Sequence, residues 1–589
     1  MKFYTNPIWI FIVCLALLLI CYLPGLNETY FPYDDFELLK IPQVQNPLSW
    51  ASLSSILTIG NHVDFYPIRD LSYWIDVHTF GVENYTAFRI ENFVLFTASI
   101  YMMFKIALRL GIQNKIALMI SIIWLLHPYH SELLMWVSSR KDILTILFSS
   151  LAIDQYLKWQ DSKYKRSYLL SLVFFTLGLL SKASFSLVPA AIFVGLLIFR
   201  RSKHQLMSLL PFIILGLISS IVQSFVYSRI NDMRFYYEFS YRLFGSLAAL
   251  GRTLSGLILP QINAVDVENW GNWASLNSSF AWVGVVAVCI ATLGLFWSLK
   301  TKNFSMFVII LSIASLYLPV SALLFPHRNF YSTRYMEAPF LTAAVGLMWS
   351  LNRISSAKYL SAFFVGLGTF LFLATFFEAK NWQSNLAIIE KSQKISPKNV
   401  AIKSVLYQEF LKQRNHPSDA QDLEQKIKQL SEHLKNSCTG IEAKHFRNGN
   451  ECFNYYRLLA IAPPANMSQS AYQDNIDRIY QSLVQVNPFG ADRYKNLLQA
   501  QGVLSGHLQE ASMGEYLENL HEMYQFKHTT QLRILETIRL CLNGDKVLAS
   551  DLQQKYLAFS LLDQMTQTQF YSQIVSGEIK EKLRNCTLL

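Results

Sequence analysis

From residue 7 to residue 377 the apolar positions come in long, nearly charge-free blocks; beyond residue 378 they come at helical spacing among polar neighbours. A block of roughly 20 apolar residues is what a transmembrane helix needs. Such blocks occupy residues 7–23, 88–110, 143–157, 167–180, 185–199, 206–226, 281–299, 304–324, 339–351 and 359–377. A shorter one begins at Ile116 and is a full crossing only if Leu133 to Val137 complete it. The first block ends at Pro24-Gly25 with no clear small-residue cleavage site, so it reads as a retained helix and not a leader. The region after residue 378 shows the helical period at 423–434 and 532–542.

Lysine and arginine gather after the blocks that end near residues 110, 157 and 199, which makes those loops cytoplasmic by the positive-inside rule. The loops holding Asp34-Asp35, residues 127–142, Lys182 and residues 327–337 then share the outer side. Residues 243–260 break the parity and are expected to re-enter or to lie along the outer surface. Irregular backbone at that depth needs protein or a wet cavity around it. The count is about eleven crossings and puts the C-terminal region outside. The predicted fold is all-α: a polytopic membrane helix bundle over residues 1–377, then a soluble all-helical domain over 378–589.

Composition agrees: the chain is 52% hydrophobic and 15% charged, against about 25% charged for soluble proteins. The net charge of +11 reports membrane orientation and not nucleic-acid binding, because much of the basic excess lies in short loops between blocks. Of the seven cysteines, Cys14, Cys21 and Cys289 fall in apolar blocks and read as packing. Cys438, Cys452, Cys541 and Cys586 all fall in the outer domain, where an even number predicts two disulfides. Pairing of sequence neighbours would give Cys438–Cys452 and Cys541–Cys586.

The outer loops carry the candidate chemistry: Asp34, Asp35, His62, Asp64, Arg69, His127, His130, Glu132, Arg140, Lys182, Arg328, Arg334 and Tyr335. Ionisable groups at membrane depth are functional suspects. Two adjacent carboxylates raise each other's pKa, a cost that makes sense if one is a base or holds a cation. His127 and His130 could be metal ligands by spacing. They lack the helical His-Glu-x-x-His arrangement and Pro128 breaks the regularity, so sugar binding or the orienting of a carboxylate is the favoured role. No cofactor is assigned; a divalent cation stays open.

Several segments in order carry a resemblance: Tyr33-Asp34-Asp35, Tyr66-Pro67-Ile68-Arg69-Asp70, His127-Pro128-Tyr129-His130-Ser131-Glu132, Ser138-Ser139-Arg140-Lys141-Asp142, Leu180-Ser181-Lys182 and Thr333-Arg334-Tyr335. The chain resembles the GT-C-fold, polyprenyl-phosphate-sugar-dependent glycosyltransferases, and among them the tetratricopeptide-containing protein O-mannosyltransferases. It departs from them at Ala183, where the family commonly has an acid. Ile395-Ser396-Pro397 and Val486-Asn487-Pro488 resemble repeat ends, but no sustained period of about 34 residues is evident.

The resemblance implies transfer of a sugar from a polyprenyl-phosphate carrier to a hydroxyl of a protein or glycan acceptor, with inversion. Asp34 or Asp35 would be the base. His62, Asp64, Arg69, His127, His130, Glu132 and Tyr335 would line the substrate. Arg140, Lys182, Arg328 and Arg334 would meet the phosphate; Lys182 and Arg334 rank first because they sit at block ends beside few other charges. The expected partners are the lipid-linked donor, the bilayer and an acceptor protein recruited by the C-terminal domain, with no nucleic acid. The expected location is the bacterial inner membrane, with site and domain in the periplasm. The alternatives are an oligosaccharyltransferase or ligase using a lipid-diphosphate glycan, or a non-enzymatic transporter or scaffold.

Overall fold

The computed structural model describes residues 7–27, 35–39, 42–47, 49–58, 65–230, 239–259, 278–321, 331–353, 357–395, 467–486 and 537–545, with single positions and short stretches elsewhere between 323 and 549. Among the described residues the chain is all-helical, with no strand. The helices are α1 (Pro7–Tyr22), α2 (Asp35–Leu39), α3 (Pro42–Gln45), α4 (Trp50–Leu57), α5 (Pro67–Phe80), α6 (Tyr85–Arg109), α7 (Asn114–Leu125), α8 (Ser131–Met135), α9 (Arg140–Ser162), α10 (Lys165–Ser181), α11 (Val188–Ile198), α12 (Lys203–Ile230), α13 (Phe239–Ile258), α14 (Ser279–Lys300), α15 (Phe304–Tyr317), α16 (Glu337–Leu351), α17 (Ala357–Ala379), α18 (Asn385–Ile395) and α19 (Gln469–Val486).

Among the described residues five stretches are long and apolar enough to cross a membrane: Ile8–Gly25, Tyr85–Arg109, Lys203–Val226, Ser279–Lys300 and Ala362–Trp382. Two bent pairs raise the number to seven if each is one span: Asn114–Leu125 with Pro128–Met135 at 48°, and Lys165–Ser181 with Ala183–Ile198 at 120°. This is fewer than the eleven or so crossings that hydropathy and loop charge predict. One reason is length. The apolar blocks at 304–324 and 339–351 form α15 and α16, of 14 and 15 residues, short of the roughly 20 that span a bilayer. Another is that residues 167–199, read as two spans, form the pair bent by 120°.

The direction of the helices decides where the polar loops meet. Arg140, at the start of α9, binds Asn92 and the Phe88 carbonyl near the start of α6. Arg109, at the end of α6, binds Asp154 near the end of α9 at 3.0 Å. Helices α6 and α9 are therefore parallel. Helix α10 returns antiparallel, so Lys182 beyond its end lies beside Asp142 at the start of α9. The same end of the bundle gathers Tyr22 against Ser131 (3.2 Å) and Thr375 donating to the Leu126 carbonyl (2.6 Å). Gln113 and Asn352 meet at the opposite end, beside the end of α6. An apolar core built from Leu18, Phe93, Phe96, Ile100, Leu133, Ile143, Phe175 and Leu341 runs between.

Helix α5 shows how local sequence sets this up. Pro67 opens it without a wasted N–H, and Gly81, at φ 83°, ends it in a conformation that favours glycine. Its inner face carries Arg69, Asp70, Tyr73 and Asp76, all buried. Asn84 then caps α6 by accepting from the Ala87 N–H at 3.0 Å.

Residues 243–258 lie in α13, an unbroken 20-residue helix, so of the two paths expected there the irregular re-entrant one is not what forms. The reason is close packing. A Cβ on Gly251 would come within 1.9 Å of the Phe280 carbonyl oxygen, and one on Gly284 within 2.0 Å of that of Leu247. The two glycines let α13 and α14 touch backbone to backbone.

In the C-terminal region α19 buries Tyr472, Ile476 and Ile479 on one face. The Tyr472 hydroxyl lies 2.7 Å from the Ala460 carbonyl and 3.0 Å from that of Leu498. Cys541 is disulfide-bonded; Cys438, Cys452 and Cys586 lie outside the described residues, and with them the two predicted pairings. Cys14 and Cys21 are buried free thiols, whereas Cys289 is free and exposed, so packing does not describe it.

Candidate functional site at the polar end of the helix bundle

Asp35 opens α2 and is fully buried. Its Oδ1 accepts from the Ser138 backbone N–H at 2.8 Å. The hydroxyls of Ser138 and Ser139 lie 3.4 and 3.3 Å from Nη1 of Arg334. The Arg334 guanidinium sits 4.0 Å from the centre of the Trp136 ring and 5.7 Å from that of Tyr335. On the same Tyr335 ring, at 4.9 Å, lies the Lys182 ammonium. Asp35, Arg334, Lys182 and Tyr335 thus converge through the Val137–Ser139 turn.

Each cation there has a carboxylate. Lys182 pairs with Asp142 at 2.5 Å, and Arg334 has Glu132 at 3.7 Å. The rest of Glu132 is spent on the chain: it accepts from the Ser332 hydroxyl, the Thr333 N–H at 2.9 Å and the Thr333 hydroxyl at 2.7 Å. Glu132 is therefore the clamp that brings residues 332–334 to the motif at 127–142. It also lines a small cavity with Tyr129, Ser131, Thr333, Trp382 and Lys391. The Glu378 carboxylate there pairs with Lys391 at 2.5 Å.

Burial holds the Lys182 pKa below the usual lysine range; Asp142 pulls it back up, while Lys141 and Arg334 push it further down. Lys182 donates to Asp142 and to no other group among the described residues. Asp142 is 6% exposed, and its Oδ2 is buried with no hydrogen-bond partner.

Four other predicted site residues have structural work. Arg140 is fully buried: it pairs with Asp76, donates from Nε to Asn92 at 2.9 Å and from Nη2 to the Phe88 carbonyl at 2.9 Å, and lies 3.3 Å from Glu91. Arg69 is buried against Asp70 at 2.7 Å, with the Tyr66 ring 5.3 Å from its guanidinium. His127 accepts from the Tyr129 N–H at Nδ1 (3.1 Å), so Nε2 carries the proton and donates to the Leu257 carbonyl at 3.0 Å. That neutral ring is satisfied by backbone on both sides. His130 donates from Nε2 to the Trp124 carbonyl at 2.6 Å, and its Nδ1 is hydrogen-bonded to the Glu337 carboxyl group at 2.8 Å. These contacts tie Arg140 and the two histidines to neighbouring helices and backbone. Asp34, His62, Asp64 and Arg328 lie outside the described residues. Among the described residues no group of three or more His, Cys, Asp or Glu side chains is arranged to hold a metal ion.

Asp142 and Ser138 stand in the 138–142 motif that the sequence singles out, without a role assigned to them; Asp76 and Glu337 were passed over. Asp76 stands on the face of α5 that holds Arg69 and Tyr73, one helical turn beyond, and that spacing is the signal for it. Glu337 is a lone acid opening an apolar block. No protein-family profile matches the chain, and no curated protein matches it.

Proposed function

We propose that the chain is an integral-membrane inverting glycosyltransferase of the GT-C type. It moves a sugar from a polyprenyl-phosphate carrier to a hydroxyl of a protein or glycan acceptor. The observation that carries this reading is the meeting of Asp35, Arg334, Lys182 and Tyr335 at one end of the bundle. A carboxylate and two cations beside an aromatic ring are the parts such a transfer requires.

The acceptor hydroxyl gives its proton to a carboxylate as its oxygen attacks the anomeric carbon. The bond from that carbon to the phosphate oxygen breaks, and polyprenyl phosphate leaves with the electron pair. Its growing negative charge falls on Arg334 and Lys182, in surroundings from which water is largely excluded. One displacement inverts the anomeric centre. Asp35 is buried and committed to the Ser138 N–H, which suits orientation; Asp34, its neighbour in sequence, is the base in this scheme. The active site and the C-terminal helical domain face the periplasm, and that domain recruits the acceptor.

The test is purified protein in proteoliposomes with polyprenyl-phosphate hexose and, separately, a lipid-diphosphate glycan. Transfer from the monophosphate donor, abolished by Asp34→Asn at normal expression, is the expected result. Transfer only from the diphosphate donor would move the protein to the oligosaccharyltransferase class. Full activity of Asp34→Asn would remove that residue from the chemistry.

A further inference from the structure

The ion pair of Asp142 and Lys182 has an unusual balance. An ammonium has three N–H donors. Here one is taken by Asp142 and no other hydrogen bond is made among the described residues, although the side chain is 12% exposed. Asp142 is equally one-sided, with Oδ1 on Lys182 and Oδ2 buried without a partner. The backbone holds both ends. Asp142 lies in the first turn of α9, and the Lys182 carbonyl accepts from Thr145, one turn further along the same helix, at 3.2 Å. The flat ring of Tyr335 bounds one side of the ammonium at 4.9 Å. A structural ion pair of this burial would spend its remaining donors, as Arg140 does.

We infer that Asp142 is the positioning residue of the phosphate site: it fixes the Lys182 ammonium so that its two unspent N–H groups are kept for phosphate oxygens, and its own charge limits how tightly that phosphate is held. The inference rests on the transferase reading above and adds a residue to it. Asp142 opposes the bound anion by like-charge repulsion, while the fixed ammonium is aimed at the leaving oxygen. Removal of the carboxylate should therefore strengthen binding and weaken catalysis, a split that loss of structure alone does not produce.

The experiment measures binding of undecaprenyl phosphate to the full-length protein in detergent, alongside turnover and thermal unfolding. Asp142→Asn is expected to bind the lipid about fivefold more tightly at low salt and to turn over about tenfold or more slowly. Asp142→Glu keeps the charge but displaces the ammonium, so it slows turnover without tighter binding, and it serves if Asp142→Asn does not fold. Lys182→Gln leaves Asp142 buried and bare and lowers the unfolding temperature; the double variant Asp142→Asn, Lys182→Gln recovers it without activity. Unchanged affinity and turnover in Asp142→Asn, or wild-type turnover in Asp142→Glu, overturns the inference while the transferase reading stands. Failure of the wild-type protein to bind the lipid overturns both.

Discussion

Two buried cation clusters stand at the same end of the helix bundle, and they differ in how fully their donors are spent. Around Arg140 the guanidinium is divided among Asp76, Asn92 and the Phe88 carbonyl, with Tyr73 and Phe88 rings on its faces. Around Lys182 one donor is used and an aromatic ring covers another side. Burial does not separate the two. The first cluster joins α5, α6 and α9 and has nothing left to offer a ligand; the second keeps hydrogen-bonding capacity in reserve. On the transferase reading proposed above, that distinction gives the first cluster an architectural role and the second a chemical one.

The sharpest way to break the comparison is to remove one cation from each side. Arg140→Ala strands Asp76 in the interior, and a broken buried pair costs about 3–5 kcal/mol. Yield and thermal unfolding should collapse together with activity. Arg334→Lys keeps a charge beside Glu132 and gives up the planar fork. Its unfolding should stay near wild type while transfer falls about a hundredfold. If the two variants lose stability equally, the clusters have the same role and the distinction fails.

A smaller effect is expected at His127. Asn in its place can still accept near the Tyr129 N–H, so a loss of about 1 kcal/mol in stability is expected, with no change in donor KM. A clear rise in KM would return His127 to the substrate pocket. The smallest effect concerns pH. Because burial lowers the Lys182 pKa, its ammonium loses the proton as pH rises before an exposed lysine would. Donor affinity should fall on the alkaline side of neutrality, earlier still in Asp142→Asn, since Asp142 raises that pKa. Arg140 keeps its charge throughout, so thermal stability should not follow the same curve.

Much of this was legible in the sequence. Apolar blocks foretold an all-helical protein with membrane-long helices, and the loop motifs held Asp35, Glu132, Lys182 and Arg334, which the fold brings to one end of the bundle. Three things were not legible. Helix length is not fixed by hydropathy alone: the blocks at 304–324 and 339–351 looked like spans, yet α15 and α16 have 14 and 15 residues, short of a full crossing. The path of α13 depends on Gly251 and Gly284 meeting backbones from another helix, which hydropathy does not register. The role of a charged side chain depends on its partners: Arg140 and Lys182 look alike as cations in outer loops, and only the positions of Asp76, Asn92 and Asp142 tell them apart.

The Glu132 clamp and the His130–Glu337 pair each bridge about two hundred positions of chain. During synthesis, the segment with Glu132 leaves the ribosome long before Thr333 exists. Until then a carboxylate and an imidazole destined for the interior have no native partners and must stay hydrated. Assembly of this end of the protein therefore waits for the arrival of α16, and a fragment cut before residue 332 would insert its early helices yet never close the pocket.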